Sequence, residues 1–376
     1  MLVKPKAGLT ARIKVVGVGG GGGNAISSMI ADGGIPGVEF IAVNTDAQAL
    51  LHNRASIKIQ IGENLTKGLG SGGDPEVGRQ AAEESKDQLK AELNGADMIF
   101  ITAGEGGGTG TGASPLVAEI AKETGALTVA VVTKPFDFEG VRRKQSAEEG
   151  ERQLKEKVDT LIVVPNQKIL QVVDRKTPIL DAFKKIDSVL YQGVRGIAEL
   201  ITIPGLINVD FADVKTVMSN AGTALMGIGV ASGDKRAISA IRQAISSPLL
   251  STSIEGARGV LFNVVGGPDL TMSEIDEAAS LIAKSVDPDA NIIFGAAIDE
   301  QMVDQVKVTV VATRFDETRM SFFQYNKQTP LHSPEPVVES EVDVTAITEE
   351  TIEEGVETVK KEPEFDIPAF MRRKRQ

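Results

Sequence analysis

At 376 residues, with 41% of them hydrophobic, the chain is longer than one ordinary domain and can bury substantial cores, so two globular units with extra segments are expected. It has no cysteine and only two histidines, His52 and His332, which excludes disulfides, thiolate metal centres and cysteine nucleophiles and leaves histidine relays or histidine metal sites almost no material. No stretch approaches the roughly 20 apolar residues that span a bilayer, no apolar core follows a basic start, and the formal charge of -12 gathers in the C-terminal part rather than on a nucleic-acid face, so a cytoplasmic protein is expected.

From Arg12 onward, short apolar runs at 13–18, 38–43, 98–102, 127–133 and 160–164 alternate with helix-compatible stretches such as 75–93 and 114–124. Near-continuous apolar strands separated by such stretches predict a parallel sheet covered on both faces, with right-handed crossovers. After a flexible 1–11, residues 12–178 are therefore expected to form an α/β domain. Ile179, Leu180, Phe183, Ile186, Leu190, Val194, Ile197 and Leu200 then recur at helical spacing without an internal proline, which predicts one long central helix over 179–202.

A second set follows, with strands expected at 224–231, 260–265, 292–298 and 306–312 and helices at 235–245 and 273–283. It makes a smaller α+β unit over 203–315. Beyond it the sequence turns to Pro, Glu, Ser, Thr and Val without a sustained period; residues 328–359 hold nine Asp/Glu and no Lys/Arg. Such a composition cannot offset its ordering entropy by burial, so 316–362 is expected to be a disordered acidic linker. Apolar residues return in 363–376, around Phe365, Ile367 and Phe370, before Arg372-Arg373-Lys374-Arg375. An apolar island too short to fold alone suggests a docking peptide.

Two glycine runs carry the chemistry. The first strand leads into Gly17-Val18-Gly19-Gly20-Gly21-Gly22-Gly23-Asn24 and a helix; the second run, 104–112, lies between a strand and a helix expected to begin near Ser114. Glycine lets backbone N–H groups approach an anion closely, and a helix N-terminus adds its positive end. The spacing Gly17, Gly19, Gly22 also satisfies a dinucleotide fingerprint, so the first loop alone does not choose between a nicotinamide and a nucleoside triphosphate. Two such loops on one sheet edge suit a polyphosphate gripped from both sides. A Walker loop is absent, because GK[ST] occurs nowhere in the sequence.

The run Gly106-Gly107-Gly108-Thr109-Gly110-Thr111-Gly112 resembles the phosphate loop of the tubulin/FtsZ family. Gly19 to Asn24, Asn44-Thr45-Asp46, Pro135-Phe136, Phe138-Glu139-Gly140, Asn166 and Asn208-Val209-Asp210-Phe211-Ala212-Asp213 resemble bacterial FtsZ at matching intervals, and Asp366-Ile367-Pro368-Ala369-Phe370 resembles its tail peptide. The resemblance covers about 12–313. Two positions depart from the pattern: Glu105 stands where the family usually has an apolar residue, and Met371 replaces the tail's usual leucine. Glu105 is expected to point to solvent.

The resemblance implies a GTP-binding, GTP-hydrolysing cytoskeletal protein. It places Gly20, Gly21, Gly22, Gly23, Asn24 and Asp46, with Gly107, Gly108, Thr109 and Gly110, around the phosphates, Glu139 and Arg143 about the ribose, and Asn166, Phe183 and Asp187 at the guanine. A carboxylate can accept from guanine N1–H and the exocyclic amine, whereas adenine offers an acceptor at N1, so Asp187 would select guanine. On residue spacing alone, Asp187 equally suits a solvated helix face and Phe183 a core contact.

Asp210 and Asp213 lie three apart at the start of a helix-compatible stretch, where N-terminal capping is the ordinary explanation. The family suggests instead that Asn208, Asp210 and Asp213 enter the nucleotide site of the next subunit and position the attacking water, so that GTP is hydrolysed to GDP within a head-to-tail homopolymer. Phosphoryl transfer asks mainly for positioning and charge stabilisation, so carboxylates suffice. Magnesium is expected to be held by phosphates and water rather than by a protein metal site.

Further implied are assembly of the cell-division ring at midcell and binding of membrane-tethering adaptors and assembly regulators through Asp366, Ile367, Pro368, Phe370 and Arg372. Direct membrane contact is expected to be weak at most. The rival readings are a Rossmann-type oxidoreductase using Glu39 or Asp46 at a ribose, and a tubulin-like scaffold that binds GTP with little turnover.

Overall fold

The computed structural model describes residues 11–315 apart from 175, 204, 248, 249, 251 and 252; the linker at 316–362, the terminal peptide and its residues Asp366, Ile367, Pro368, Phe370 and Arg372 lie outside the described residues. Among the described residues one ten-stranded sheet has the order β3-β2-β1-β4-β5-β6-β7-β10-β8-β9. The first six strands are β1 (Ile13–Val18), β2 (Val38–Asn44), β3 (Ile57–Gln60), β4 (Met98–Gly104), β5 (Leu127–Lys134) and β6 (Thr160–Pro165). All of these pair in parallel. The remaining strands are β7 (Gly222–Ser232), β8 (Gly259–Gly266), β9 (Asn291–Ile298) and β10 (Gln305–Thr313). β7 joins β6 in parallel at Thr160 opposite Gly222, and β10 then pairs antiparallel with both β7 and β8.

The helices are α1 (Gly19–Ala31), α2 (Ala47–His52), α3 (Glu63–Thr66), α4 (Pro75–Glu84), α5 (Lys86–Leu93), α6 (Thr109–Glu123), α7 (Val141–Lys157), α8 (Asn166–Ile169), α9 (Ile179–Thr202), α10 (Phe211–Met218), α11 (Arg236–Ile245) and α12 (Met272–Ser285). Strand alternation divides the first core in two. Ile13 and Val15 of β1 join Ile26 and Met29 of α1 and Val194 and Ile197 of α9, whereas Val16 and Val18 join Ala82, Leu89, Val117 and Leu154 of α4 to α7. A third core packs α11 and α12 on β7, β8 and β10 through Ile241, Ile282, Phe262 and Val308. The sheet is thus covered on both faces, as the apolar strands predict.

The expected strands appear with slightly longer ends, and the central helix appears as α9. Three local expectations change. The helix expected over 75–93 is two helices, α4 and α5, hinged at Ser85. The four-residue edge strand β3 was not foreseen. The helix expected near Ser114 begins five residues earlier, at Thr109, and α1 begins at Gly19, so most of the first glycine run and the last four residues of the second are first turns of helices rather than loops before them.

The connection order places the chemistry. β1 is flanked by β2 and β4, the point at which the strand order reverses, so ligands are expected outside the carboxyl ends of β1 and β4. α9 starts after α8, beyond the carboxyl end of β6, and its 24 residues carry the chain about 36 Å to the other end of the strands. There Thr160 Oγ1 donates to Met218 O and the Gly222 amide to Asp159 O.

Candidate functional site

Val18 and Ala103 are register partners on adjacent strands, so the two glycine runs emerge side by side. Neither α1 nor α6 has an acidic residue in its first turn or a capping side chain, which leaves their first amides unspent and their positive ends facing outward. The backbones meet where no side chain fits: a Cβ on Gly19 would lie 2.7 Å from Gly110 N, and one on Gly22 would lie 2.2 Å from Thr102 O. Gly20 differs, with nothing within 4 Å of such an atom, and Gly107 meets only Arg143 Nη2 at 3.9 Å. The result is a rigid double wall with an open cradle at Gly20 and Gly107. Gly23 and exposed Asn24 continue it, lining a recess with Asn44 and Asn53.

Hydroxyls brace the second wall. Thr109 Oγ1 lies 2.7 Å from Thr45 Oγ1 and 3.0 Å from Ser71 Oγ. Ser71 belongs to a third glycine run, 68–74, in which Gly68, Gly70, Gly72 and Gly73 all have positive φ and which lies directly against Gly108. Sequence reasoning gave Thr45 no role beyond its place in Asn44-Thr45-Asp46 and passed over Ser71; the glycines around Ser71, followed by the capping Asp74 and Pro75, were the available signal. Asp46 caps α2, accepting from the Gln48 and Ala49 amides, so its carboxylate is partly committed to that helix.

The far wall is tied to the same cradle. Glu139 accepts from the Phe136 amide at 2.9 Å and pairs with Arg143, whose Nε donates to Gly106 O at 3.4 Å. Phe136 stacks on Phe138 at 4.9 Å between centroids and meets Phe183 edge-on at 5.6 Å. Phe183 is 42% exposed, so it is not the ordinary core contact. One turn later Asp187 is half-buried; loss of hydration pushes its carboxyl up to about 6, while a hydrogen bond with Ser28 of α1 pulls it down. Asn166, at the start of α8, is buried with its Oδ1 unpartnered.

Asn208, Asp210 and Asp213 lie elsewhere. Asn208 Oδ1 accepts from the Gly205 amide at 2.6 Å, and Ile207 bridges to Ala296 of β9. Asp210 caps α10, accepting from the Asp213 amide at 2.8 Å, so the capping geometry is realised, and both carboxylates are exposed. This loop follows α9 at the end of the sheet opposite the cradle, so the structure does not bring the acidic residues to the glycine walls of their own chain.

A model of the tubulin/FtsZ family GTPase domain matches residues 12–174, and a model of the FtsZ family C-terminal domain matches 222–316. An empty FtsZ dimer from M. jannaschii is 50% identical, with a TM-score of 0.77 over 81% of this chain and 88% of that one. The chain belongs to the FtsZ family. It is a cytoskeletal GTPase of the FtsZ/tubulin type. A GTPγS-bound protofilament of CetZ2 from Haloferax volcanii, 21% identical with a TM-score of 0.70 over 84% of this chain and 97% of that one, shares the fold. Among the described residues, no helix of this FtsZ-family chain is long and apolar enough to cross a membrane.

The groove fits a nucleotide on its own terms. Two unspent helix N-termini suit phosphates, the open positions at Gly20 and Gly107 give them room, and the orphaned Asn166 Oδ1 awaits a donor that a base can supply. One residue overturns expectation. Glu105 does not point to solvent: it is 4% exposed, Ser114 Oγ donates to its Oε1 at 3.4 Å, and its Oε2 is unpartnered. Burial pushes its carboxyl up to about 7. A carboxyl beneath the phosphate loop is tolerable there because it can hold its proton.

Proposed function

We propose that this FtsZ-family chain binds GTP and GDP in the groove between the glycine walls and hydrolyses GTP only where a second copy supplies Asn208, Asp210 and Asp213. In this reading Gly20 to Asn24 and Gly107 to Gly110 hold the phosphates, with Asp46 at the rim. Glu139 and Arg143 meet the ribose, and Asn166, Phe183 and Asp187 address guanine. Mg2+ takes phosphate and water ligands in this reading.

The observation that carries the reading is that the acidic loop follows α9 at the end of the sheet opposite the cradle of its own chain. Acidic side chains held permanently beside a triphosphate would oppose its binding; supplied in trans, they arrive only with assembly. Exposed apolar side chains at the two ends, Leu69, Phe138 and Val141 near the cradle and Leu206 beside the acidic loop, suit a head-to-tail contact. Such a contact is heterologous and extends into a filament.

On the same reading the filaments build the division ring at midcell on the cytoplasmic face of the membrane. The segment Asp366, Ile367, Pro368, Phe370 and Arg372 takes up membrane-tethering adaptors and assembly regulators, and the basic end adds only weak lipid contact.

Complementation tests the trans site. Asp213→Ala should bind GTP normally yet lose turnover by about 100-fold, the scale of a misplaced catalytic group. Gly110→Ala should lose GTP binding but keep its acidic loop. Neither alone should release phosphate at more than about a hundredth of the wild-type rate, and a mixture should recover part of that rate. Unchanged turnover in Asp213→Ala at saturating GTP, or an inactive mixture whose components still co-sediment, discards the trans arrangement.

A further inference from the structure

Glu105 is the one buried acidic group of the groove that the proposed chemistry leaves without a task. Its carboxyl is wedged where α6 and α7 meet. A Cβ added to Gly150 of α7 would lie 2.3 Å from Glu105 Oε2 and 2.5 Å from Thr111 Cγ2, so a mid-helix glycine makes the space the carboxyl fills. Thr111 borders the same notch, and its hydroxyl accepts from the Gly106 amide at 2.8 Å. Glu105 thus packs beside the residue that holds the first glycine of the phosphate wall, whose carbonyl is in turn held by Arg143.

The surroundings decide the charge state. α6 presents only the hydroxyls of Thr111 and Ser114, β5 presents Lys134, and α7 presents Glu151. Lys134 and Glu151 pair with each other at 2.5 Å, so no cation is left to compensate an ionised Glu105. Thr111 and Gly150 also line a groove of about 480 Å³ with Gln145 and Ser146, which leaves solvent one residue away as a proton source.

We propose that Glu105 is a proton-carrying positioning residue for the nucleotide: neutral, it fills the notch at Gly150 against Thr111 and leaves the Gly106 turn in place, and ionised, it places an uncompensated charge beneath the phosphates and weakens their binding. This rests on the GTP reading of the groove. Phosphates bound above Glu105 raise its proton affinity, so binding near neutral pH takes up protons. Each unit by which they raise it changes GTP affinity by up to about tenfold.

Calorimetric titration of the full chain with GTPγS and Mg2+ from pH 6 to 8.5, repeated in buffers of different ionisation enthalpy, tests this with wild type, Glu105→Gln and Glu105→Met. The wild-type affinity should fall by up to about tenfold relative to Glu105→Gln as pH rises through 7. Proton uptake at pH 7.5 should shrink in both variants, and the Met variant keeps the test if the Gln variant folds poorly. Parallel profiles with equal proton uptake overturn this inference alone. Absence of binding by all three proteins at pH 6.5 overturns the GTP reading and this inference together.

Discussion

The two ends of the groove proposed for GTP are made of different materials. The phosphate end is backbone against backbone, with Gly19 on Gly110 and Gly22 on Thr102, closed to any side chain except at the open cradle. The base end is side chains on three separate elements: Asn166 opens α8, Phe183 and Asp187 lie on α9, and Phe136 and Phe138 follow β5. A phosphate offers the same oxygens in every nucleotide and needs only amides at fixed positions. A base must be told from its relatives, which takes donors, acceptors and ring faces of particular side chains. Substitutions at the phosphate end should therefore act through shape and all at once, and those at the base end singly and by degrees.

Gly110→Ala should have the largest effect. Helix propensity alone favours alanine within α6 by about 1 kcal/mol. The new methyl would lie 2.5 Å from Gly104 O, a backbone atom that cannot swing away. Overpacking of that kind costs about 1–3 kcal/mol, so the variant should melt lower despite its better helix former and should show no GTP binding by calorimetry. A stabilised variant that still binds would mean the walls are not rigid.

Glu105→Gln is the second test at this end, and it should raise stability. The Glu105 carboxyl has its folded value at about 7, above its ordinary 4.5. Below 4.5 both folded and unfolded chains carry the proton. Between the two values the unfolded chain ionises while the folded one holds its proton, so stability falls as pH rises through that window, by at most about 3 kcal/mol above pH 7. The glutamine variant lacks this loss. Urea unfolding should show a gain at pH 8 that shrinks to under about 1 kcal/mol at pH 5, and equal midpoints at both pH values would show that the carboxyl is not held neutral.

The same contrast explains what was legible in the sequence. Apolar runs marked β1, β4 and β5 almost to the residue, because strands buried on both faces leave no polar alternation to confuse them. The glycine runs marked the proposed phosphate site but not its form. Glycine weakens helices, so the runs read as loops, yet Gly19 to Gly23 and Gly110 are helical because only glycine permits the close approach of the two walls. Glu105 read as exposed since acidic residues are rarely buried; its partner in that choice, Gly150, stands 45 residues away in α7. The base end had no local pattern, and Asp187, Phe183 and Asn166 were placed there by family resemblance rather than by spacing.

Phe183→Ala probes the base end with a smaller expected effect. Its ring is 42% exposed and held edge-on by Phe136, which leaves a face for a base. Base–aromatic stacking contributes about 1–3 kcal/mol, so GTP affinity should fall about 5- to 150-fold, while GTP and GDP lose in proportion because the phosphates are untouched. Preferential loss of GTP over GDP would place the ring's influence at the phosphates instead.

Asp187 provides the finest test because it should respond to pH with the opposite sign to Glu105. Burial raises its carboxyl from 3.8 to about 6. Above that value it is ionised and, in the proposed reading, accepts from guanine N1–H and the exocyclic amine; below it the proton occupies the acceptor, so affinity should decline by up to about tenfold per pH unit. Guanine favours the ionised form, so this end releases protons on binding while Glu105 takes them up. Wild-type affinity should then peak between about 6 and 7, with the acid limb set by the base end and the alkaline limb by the phosphate end. Asp187→Asn should flatten the acid limb and leave the alkaline one, and Glu105→Gln should do the reverse. An acid limb that survives in Asp187→Asn would remove Asp187 from the base end and leave guanine selection to Asn166.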